Sequence, residues 1–306
     1  MIAVLGYANL DLVAHVPTMP ARDDRTHATS ITPMVGGMGV NAAIAAAGLG
    51  AEVTFLGRYG ADDGGQRIAA ALRSAGVDVS KVRHSARTTI CIVLVDADGE
   101  RAIVSEDDDL DARDVLAALD LLADSGGGWL YLDGYRLPAA CEALEGRSPE
   151  VSVVVDLDGL EDPGALARIA ATADHLVVGA THLAALSGEP DPAVAAQQLA
   201  GHGPVVVLTR GSAGWSLYQP ASAPQHAPAF PIDAVDTTGA GDAFCGAYLA
   251  GLAEGRHPAR AASLAGAAAA LVTTHAGAGG DRITCEAVQA LIAAHPSCVA
   301  TEGERQ

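Results

Sequence analysis

Asp236-Thr237-Thr238-Gly239-Ala240-Gly241-Asp242 joins a hydrophobic, strand-like approach to a long Ala-rich helical run and leaves one carboxylate just inside the helix start. Glycines there let the backbone come close to a ligand, and the free N–H groups of a first helical turn favour anions. An acid in that turn can take a proton from an attacking hydroxyl. The stretch therefore points to transfer of a phosphoryl group onto an alcohol, with an ordinary loop ending in an acidic helix cap as the alternative from these residues alone.

The surroundings of that helix supply the scaffold. Short apolar runs rich in β-formers recur at residues 2–5, 53–56, 129–132, 151–155, 175–178 and 205–208, each separated by Ala-rich helical sequence. Such alternation predicts a mainly parallel central sheet covered by helices on both faces, an α/β fold of three layers, α/β/α. Ligands on such sheets gather at the carboxyl ends of the strands. Two segments break the rhythm, 12–35 and 88–105, and in the second the turn Asp96-Ala97-Asp98-Gly99 stands between two β-rich runs. That is a hairpin signal, and the two segments are expected to pair as a small β-sheet lid over the site. Residues 220–231, with four prolines, read as a surface connection and 300–306 as a frayed tail.

With 306 residues and 50% hydrophobic content, the chain can bury a large core as one catalytic domain spanning 1–306. A formal charge of −19 opposes nonspecific binding to nucleic acid or to an anionic membrane. The five cysteines are widely spaced without a CxxC pair, so neither zinc nor a disulfide framework is indicated and a reducing cytoplasm fits. The apolar stretch 261–272 is too short to span a bilayer.

Two further constellations carry polar chemistry. Gly36-Gly37-Met38-Gly39-Val40-Asn41 lies between an extended segment and a helical run at 41–48, so its glycines permit a tight turn with exposed N–H groups, and Asn41 offers both donor and acceptor to hydroxyls. Upstream, Asn9 and Asp11 stand two apart after the first strand and project on one side of an extended segment, where an amide beside a carboxylate suits a polyol. A structural glycine turn and a polar turn after a buried strand are the plainer alternatives.

Taken in order and spacing, these motifs resemble the PfkB or ribokinase-like family of carbohydrate and nucleoside kinases. The likeness covers nearly the whole chain and includes the strand-turn Val207-Leu208-Thr209-Arg210-Gly211-Ser212-Ala213-Gly214 and the hairpin turn Asp98-Gly99-Glu100-Arg101. The resemblance implies an ATP-dependent kinase acting on a small sugar or related polyol, with a nucleoside acceptor or a noncatalytic ligand-binding relative as rivals. It makes Asp242 the general base and Gly239, Ala240 and Gly241 the anion hole. Asn9, Asp11, Gly37 and Asn41, with Asp133 nearby, would bind the acceptor, and Thr209, Gly211 and Thr238 the nucleotide phosphates. It further implies Mg2+ and a monovalent cation such as K+ held by Asp236, the Thr238 carbonyl and the loop 274–280. The extended lid edges imply a homodimer formed through the lid.

This chain departs from the family in two places. Relatives carry an Asn-x-x-Glu element that organises water and magnesium around the phosphates, where this sequence reads Gly179-Ala180-Thr181-His182. A metal-atypical enzyme is the expectation, with Asp156 and Asp158 at the end of another strand in reach of magnesium or its waters. Relatives also have a Gly-Ala-Asn-like turn where this chain has Glu106-Asp107-Asp108-Asp109, read here as a solvated loop before a helix.

Overall fold

Alternate side chains of each apolar run enter two separate cores, and that division explains the layering. Ile2, Val4, Val154 and Val207 pack into one cluster, while Ala3, Leu5, Val153, Val155 and Leu208 pack into the other. In a strand of period two, such double burial requires cover on both faces. The computed structural model describes residues 1–108, 110–275, 277 and 283–300, with Arg136, Pro138 and Ala139 described by backbone alone.

Along the chain run β1 (Ile2–Leu5), β2 (Asn9–His15), β3 (Ser30–Gly36), helix α1 (Met38–Gly48), β4 (Val53–Phe55), β5 (Arg58–Gly60) and α2 (Asp63–Ser74). There follow β6 (Arg83–Ser85), β7 (Thr89–Val95), β8 (Arg101–Ser105), α3 (Ala112–Asp124), β9 (Gly128–Leu132), α4 (Leu137–Glu145) and β10 (Val151–Asp156). The remainder comprises α5 (Leu166–Thr172), β11 (His175–Gly179), α6 (Ala180–Ser187), α7 (Pro192–Ala200), β12 (Val205–Thr209), β13 (Trp215–Tyr218) and β14 (Gln225–Ala227). Last come α8 (Ala240–Ala253), α9 (Pro258–Val272) and α10 (Cys285–Ala294).

The central sheet has eight strands in the order β14-β13-β12-β11-β10-β9-β1-β4. Pairing is parallel from β12 to β4 and antiparallel for β12–β13 and β13–β14. Helices α1, α2, α8, α9 and α10 contribute to the first core, and α3 to α7 to the second. The strands' carboxyl ends therefore open on one rim, to which β1, β9, β10, β11 and β12 deliver their following residues.

A second sheet of four strands, β3-β2-β7-β8, stands apart from the first. Strand β2 runs antiparallel to β3 and parallel to β7, and β7–β8 is the hairpin, turned at Gly99 with φ 83°. This sheet begins at Asn9, earlier than the segment 12–35 expected from sequence, so Asn9 and Asp11 lie on a lid strand rather than in a turn.

Other boundaries also moved, each for a physical reason. Strands β10, β11 and β12 each extend one residue past their apolar run, to Asp156, Gly179 and Thr209, because pairing continues after hydrophobicity stops. Helix α1 starts at Met38 instead of residue 41, with Gly39 already helical: a Cβ there would stand 2.7 Å from the Gly6 backbone, so this glycine serves close packing instead of a turn. The proline-rich connection 220–231 contains β14, an edge strand, where flanking prolines are tolerated. The pair β5–β6 was not anticipated. Residues 301–306 of the tail and Asp109 of the acidic run lie outside the described residues.

Candidate active site

Gly239 caps α8 in the left-handed conformation, φ 74°, which a side chain would strain. The Ala240 N–H reaches Thr237 O at 3.3 Å and the Ala243 N–H reaches Gly239 O at 2.8 Å, whereas the N–H groups of Gly239, Gly241 and Asp242 find no acceptor among the described residues. A helix start leaves such donors unpaired because no preceding turn supplies carbonyls, and the dipole adds positive potential. The result is a row of unpaired donors at the start of α8.

Asp242 projects from the first turn of α8 beside those donors. One turn further, Gly246 meets Ala42 of α1 so closely that a Cβ would lie 2.1 Å from the Ala42 carbonyl oxygen. This approach of α8 to α1 brings Asn41 Nδ2 to donate to Asp242 Oδ2 at 2.7 Å. Burial pushes the Asp242 carboxyl up to about 6, with Asp158 and Asp11 repelling its charge and the Asn41 hydrogen bond working the other way. A base poised near neutrality is suited to taking a hydroxyl proton.

Behind it, Asp156 is buried and accepts from the Cys245 thiol at 3.1 Å and from the Asp158 N–H at 3.1 Å. Burial, then the charges of Asp158 and Asp242, hold Asp156 well above the usual carboxylate range. Asp158 instead faces a cavity of about 570 Å³ lined by Gly179, Thr181, His182, Thr209, Arg210 and Gly211. It lies 3.4 Å from the Gly179 N–H, and a Cβ on Gly241 would come within 3.8 Å of its Oδ2, so it stands between the cavity and the α8 turn. His182 Nε2 is buried there and finds no hydrogen-bond partner among the described residues.

On the lid side, Asn9 Nδ2 donates to Asp11 Oδ1 at 2.5 Å, and burial raises the Asp11 carboxyl. Gly36, opposite on β3, must be small because a Cβ would fall 2.1 Å from Asp11 Oδ2. Gly37, φ 106°, packs on the Tyr7 carbonyl. Asp133 is buried and its Oδ2 accepts from the Tyr7 N–H, so it shapes the turn that carries Asn9. The rings of Tyr7 and Tyr135 lie 5.4 Å apart, and burial, then the charges of Asp133 and Asp242, push Tyr135 up to about 12. Glu106 is more than a solvated loop residue: Arg87 grips both its carboxylate oxygens at 2.5 and 2.6 Å, and its carbonyl accepts from the Tyr7 hydroxyl.

Asp236 is engaged by protein donors on both carboxylate oxygens. Its Oδ1 accepts from Arg101, from the Thr238 N–H at 2.9 Å and from Thr238 Oγ1 at 2.6 Å, while Oδ2 accepts from the Gly277 N–H at 2.8 Å. Burial acts against this, yet those hydrogen bonds and the Arg101 charge hold the carboxyl down at about 2. Of the loop 274–280, Ala276 and residues 278–280 lie outside the described residues. No group of three or more His, Cys, Asp or Glu side chains among the described residues forms a metal cage. Sequence reasoning named Asp242, Asn41, Asn9 and Asp11 but missed Tyr135 and Arg101, the latter 135 residues from its partner.

A helix-covered parallel sheet, a helix start with unpaired N–H groups, a neighbouring acid and a small β-sheet carrying Asn9 and Asp11 fit a phosphotransferase with an alcohol group as acceptor. Residues 1–285 match the model of the pfkB family carbohydrate kinases, and the chain belongs to that family. It is 31% identical over 295 residues to the ATP-dependent ribose-1-phosphate kinase of Halopiger xanaduensis, covering 91% of this chain and 94% of that protein. It is 30% identical over 305 residues to the ribokinase of Bacillus subtilis, covering 95% and 99%. The structure of Arabidopsis thaliana ribokinase complexed with ribose and ATP superposes with a TM-score of 0.83 at 25% identity, covering 95% of this chain and 98% of that one.

Proposed function

We propose that this kinase transfers the γ-phosphoryl group of ATP to a hydroxyl of a small sugar or related polyol. The observation that carries the reading is Asp242, oriented by Asn41 and set beside the unpaired N–H groups of Gly239, Gly241 and its own backbone. The acceptor hydroxyl gives its proton to the Asp242 carboxylate as its oxygen bonds to the γ-phosphorus; the bond to the bridging oxygen breaks and ADP leaves. The α8 donors face the charge on the migrating group, where one preorganised donor is typically worth roughly 10²- to 10³-fold.

Asn9 and Asp11 hold acceptor hydroxyls, Gly37 leaves room for them, and Thr209, Gly211 and Thr238 flank the nucleotide phosphates. Asp158 supplies a hard oxygen ligand that suits magnesium, an ion commonly held by one or two carboxylates plus substrate phosphates, and the ion would neutralise phosphate charge. The names of the relatives support ATP and a ribose-sized acceptor. The free cysteines suit a reducing cytoplasm, and no helix among the described residues is long and apolar enough to cross a membrane.

The Tyr7–Tyr135 pair favours a second reading, a nucleoside whose base rests on the exposed part of Tyr135. A panel of sugars and nucleosides with ATP and magnesium tests both. Acceptor-dependent ADP formation, strongest with free pentoses, supports the sugar reading; preference for nucleosides supports the second; ligand-induced stabilisation without turnover leaves a binding protein instead. We also infer a homodimer through the lid, whose one face carries Leu12, Ile31, Ile92 and Val104 by register, the last three exposed.

A further inference from the structure

Arg101 begins β8, the last strand of the lid, yet its Nη2 donates to Asp236 Oδ1, where the phosphate turn begins. The lid residues directly across the sheet place it on the same face as Asp11: Arg101 pairs with Val95 and Val95 with His15, in step with Asp11, Cys91 and Ser105 further along. That face looks toward the acceptor site. The guanidinium thus reaches from the lid to the turn that ends in the α8 donors, and its partner Asp236 also fixes the Thr238 N–H and hydroxyl.

Among the described residues, the donors gathered on Asp236 do not fit a bound monovalent ion. One carboxylate oxygen already takes three donors and the other takes the Gly277 N–H. A carboxylate has about four acceptor sites, so little remains for a metal. A fixed positive charge already stands where that ion would be needed, and a guanidinium keeps its charge at every working pH.

We propose, resting on the kinase reading, that Arg101 is the built-in cation of this site and takes the place of a diffusible monovalent ion beside the phosphate turn. The charge travels with the lid. An ion from solution would occupy the turn whether the lid is open or shut, but Arg101 can pair with Asp236 only when β8 lies against it. Acceptor binding beneath the lid and full electrostatic support of the phosphate turn are therefore one event, which also limits ATP hydrolysis in the acceptor's absence.

The full-length protein is assayed with ATP, magnesium and its best acceptor in potassium chloride and in tetramethylammonium chloride at equal ionic strength. Rates of the unaltered protein should agree within about twofold, because both salts screen alike. Arg101→Ala should fall about tenfold or more in tetramethylammonium chloride, the scale of a lost hydrogen bond between charged groups, and recover in part on adding potassium or guanidinium. Arg101→Lys should fall between. Potassium should also raise the thermal midpoint of Arg101→Ala while leaving that of the unaltered protein in place, a readout independent of turnover. Strong potassium activation of the unaltered protein, or an Arg101→Ala variant with full activity and no response to potassium, overturns the proposal. Absence of turnover with every acceptor in both salts removes the kinase reading instead, and the thermal measurement then still decides whether Arg101 fills a cation's place.

Discussion

Asp242 and Asp11 are both carboxylates raised by burial, but they stand in regions built differently. Asp242 sits where α8 packs on α1 through Gly246 and Ala42, against a sheet buried on both faces. Asp11 sits on a sheet of four strands whose β8 is exposed along its whole length, joined to the body through contacts such as Arg101–Asp236 and Tyr7–Glu106. On the proposed reading, the first region would fix chemical groups to within a hydrogen bond and the second would present groups that select and cover. Damage to the first should lower kcat, and damage to the second should chiefly change acceptor KM and coupling.

The sharpest break of that contrast is Gly239→Val, which places a β-branched residue at φ 74° and displaces the anion-binding turn. It should lower kcat by roughly 10²- to 10³-fold while denaturant melts show the sheet intact. Asp11→Ala comes next: kcat/KM for the acceptor should fall about 10- to 100-fold, with the KM for ATP little changed. A matching rise in the KM for ATP would mean that the lid does not act on the acceptor alone.

Asn41→Ala sharpens the comparison through pH. The Asn41 hydrogen bond lowers the Asp242 carboxyl, so its loss raises the pKa above about 6 and shrinks the ionised fraction at pH 6. The acid limb of kcat/KM should move to higher pH, with a loss of about tenfold at pH 6 that narrows by pH 8. An unmoved limb would separate Asn41 from the base. The smallest catalytic effect is expected of Val104→Ser on the exposed lid face: light scattering should show a weakened dimer while kcat changes by less than about threefold.

The same division governs what was legible in the amino-acid order. Strands buried on both faces announce themselves as apolar runs, and the glycine-rich helix start carries its acid within a few residues, so the central sheet and Asp242 could be read directly. Asp156, Gly179 and Thr209 were left off their strands because none of them continues the apolar run. Gly39 was read as a turn because the close approach of Gly6 that requires it lies in the tertiary packing. Arg101 and Asp236 stand 135 residues apart, and no local pattern links them. Tyr135 comes three residues after the end of β9, and an aromatic side chain at that rim was the signal available for it.

The most direct test is Asp242→Asn, followed by single turnover at saturating acceptor and by ATP titration. Burial pushes this carboxyl up to about 6 from its ordinary 3.8, so its ionised form costs stability above pH 6 and that cost fades as pH drops toward 3.8. The variant should therefore melt no lower than the parent at pH 8. We expect phosphoryl transfer to slow by at least roughly 10²-fold with ATP affinity retained. Transfer at a near-parental rate would contradict the assignment of Asp242 as the base.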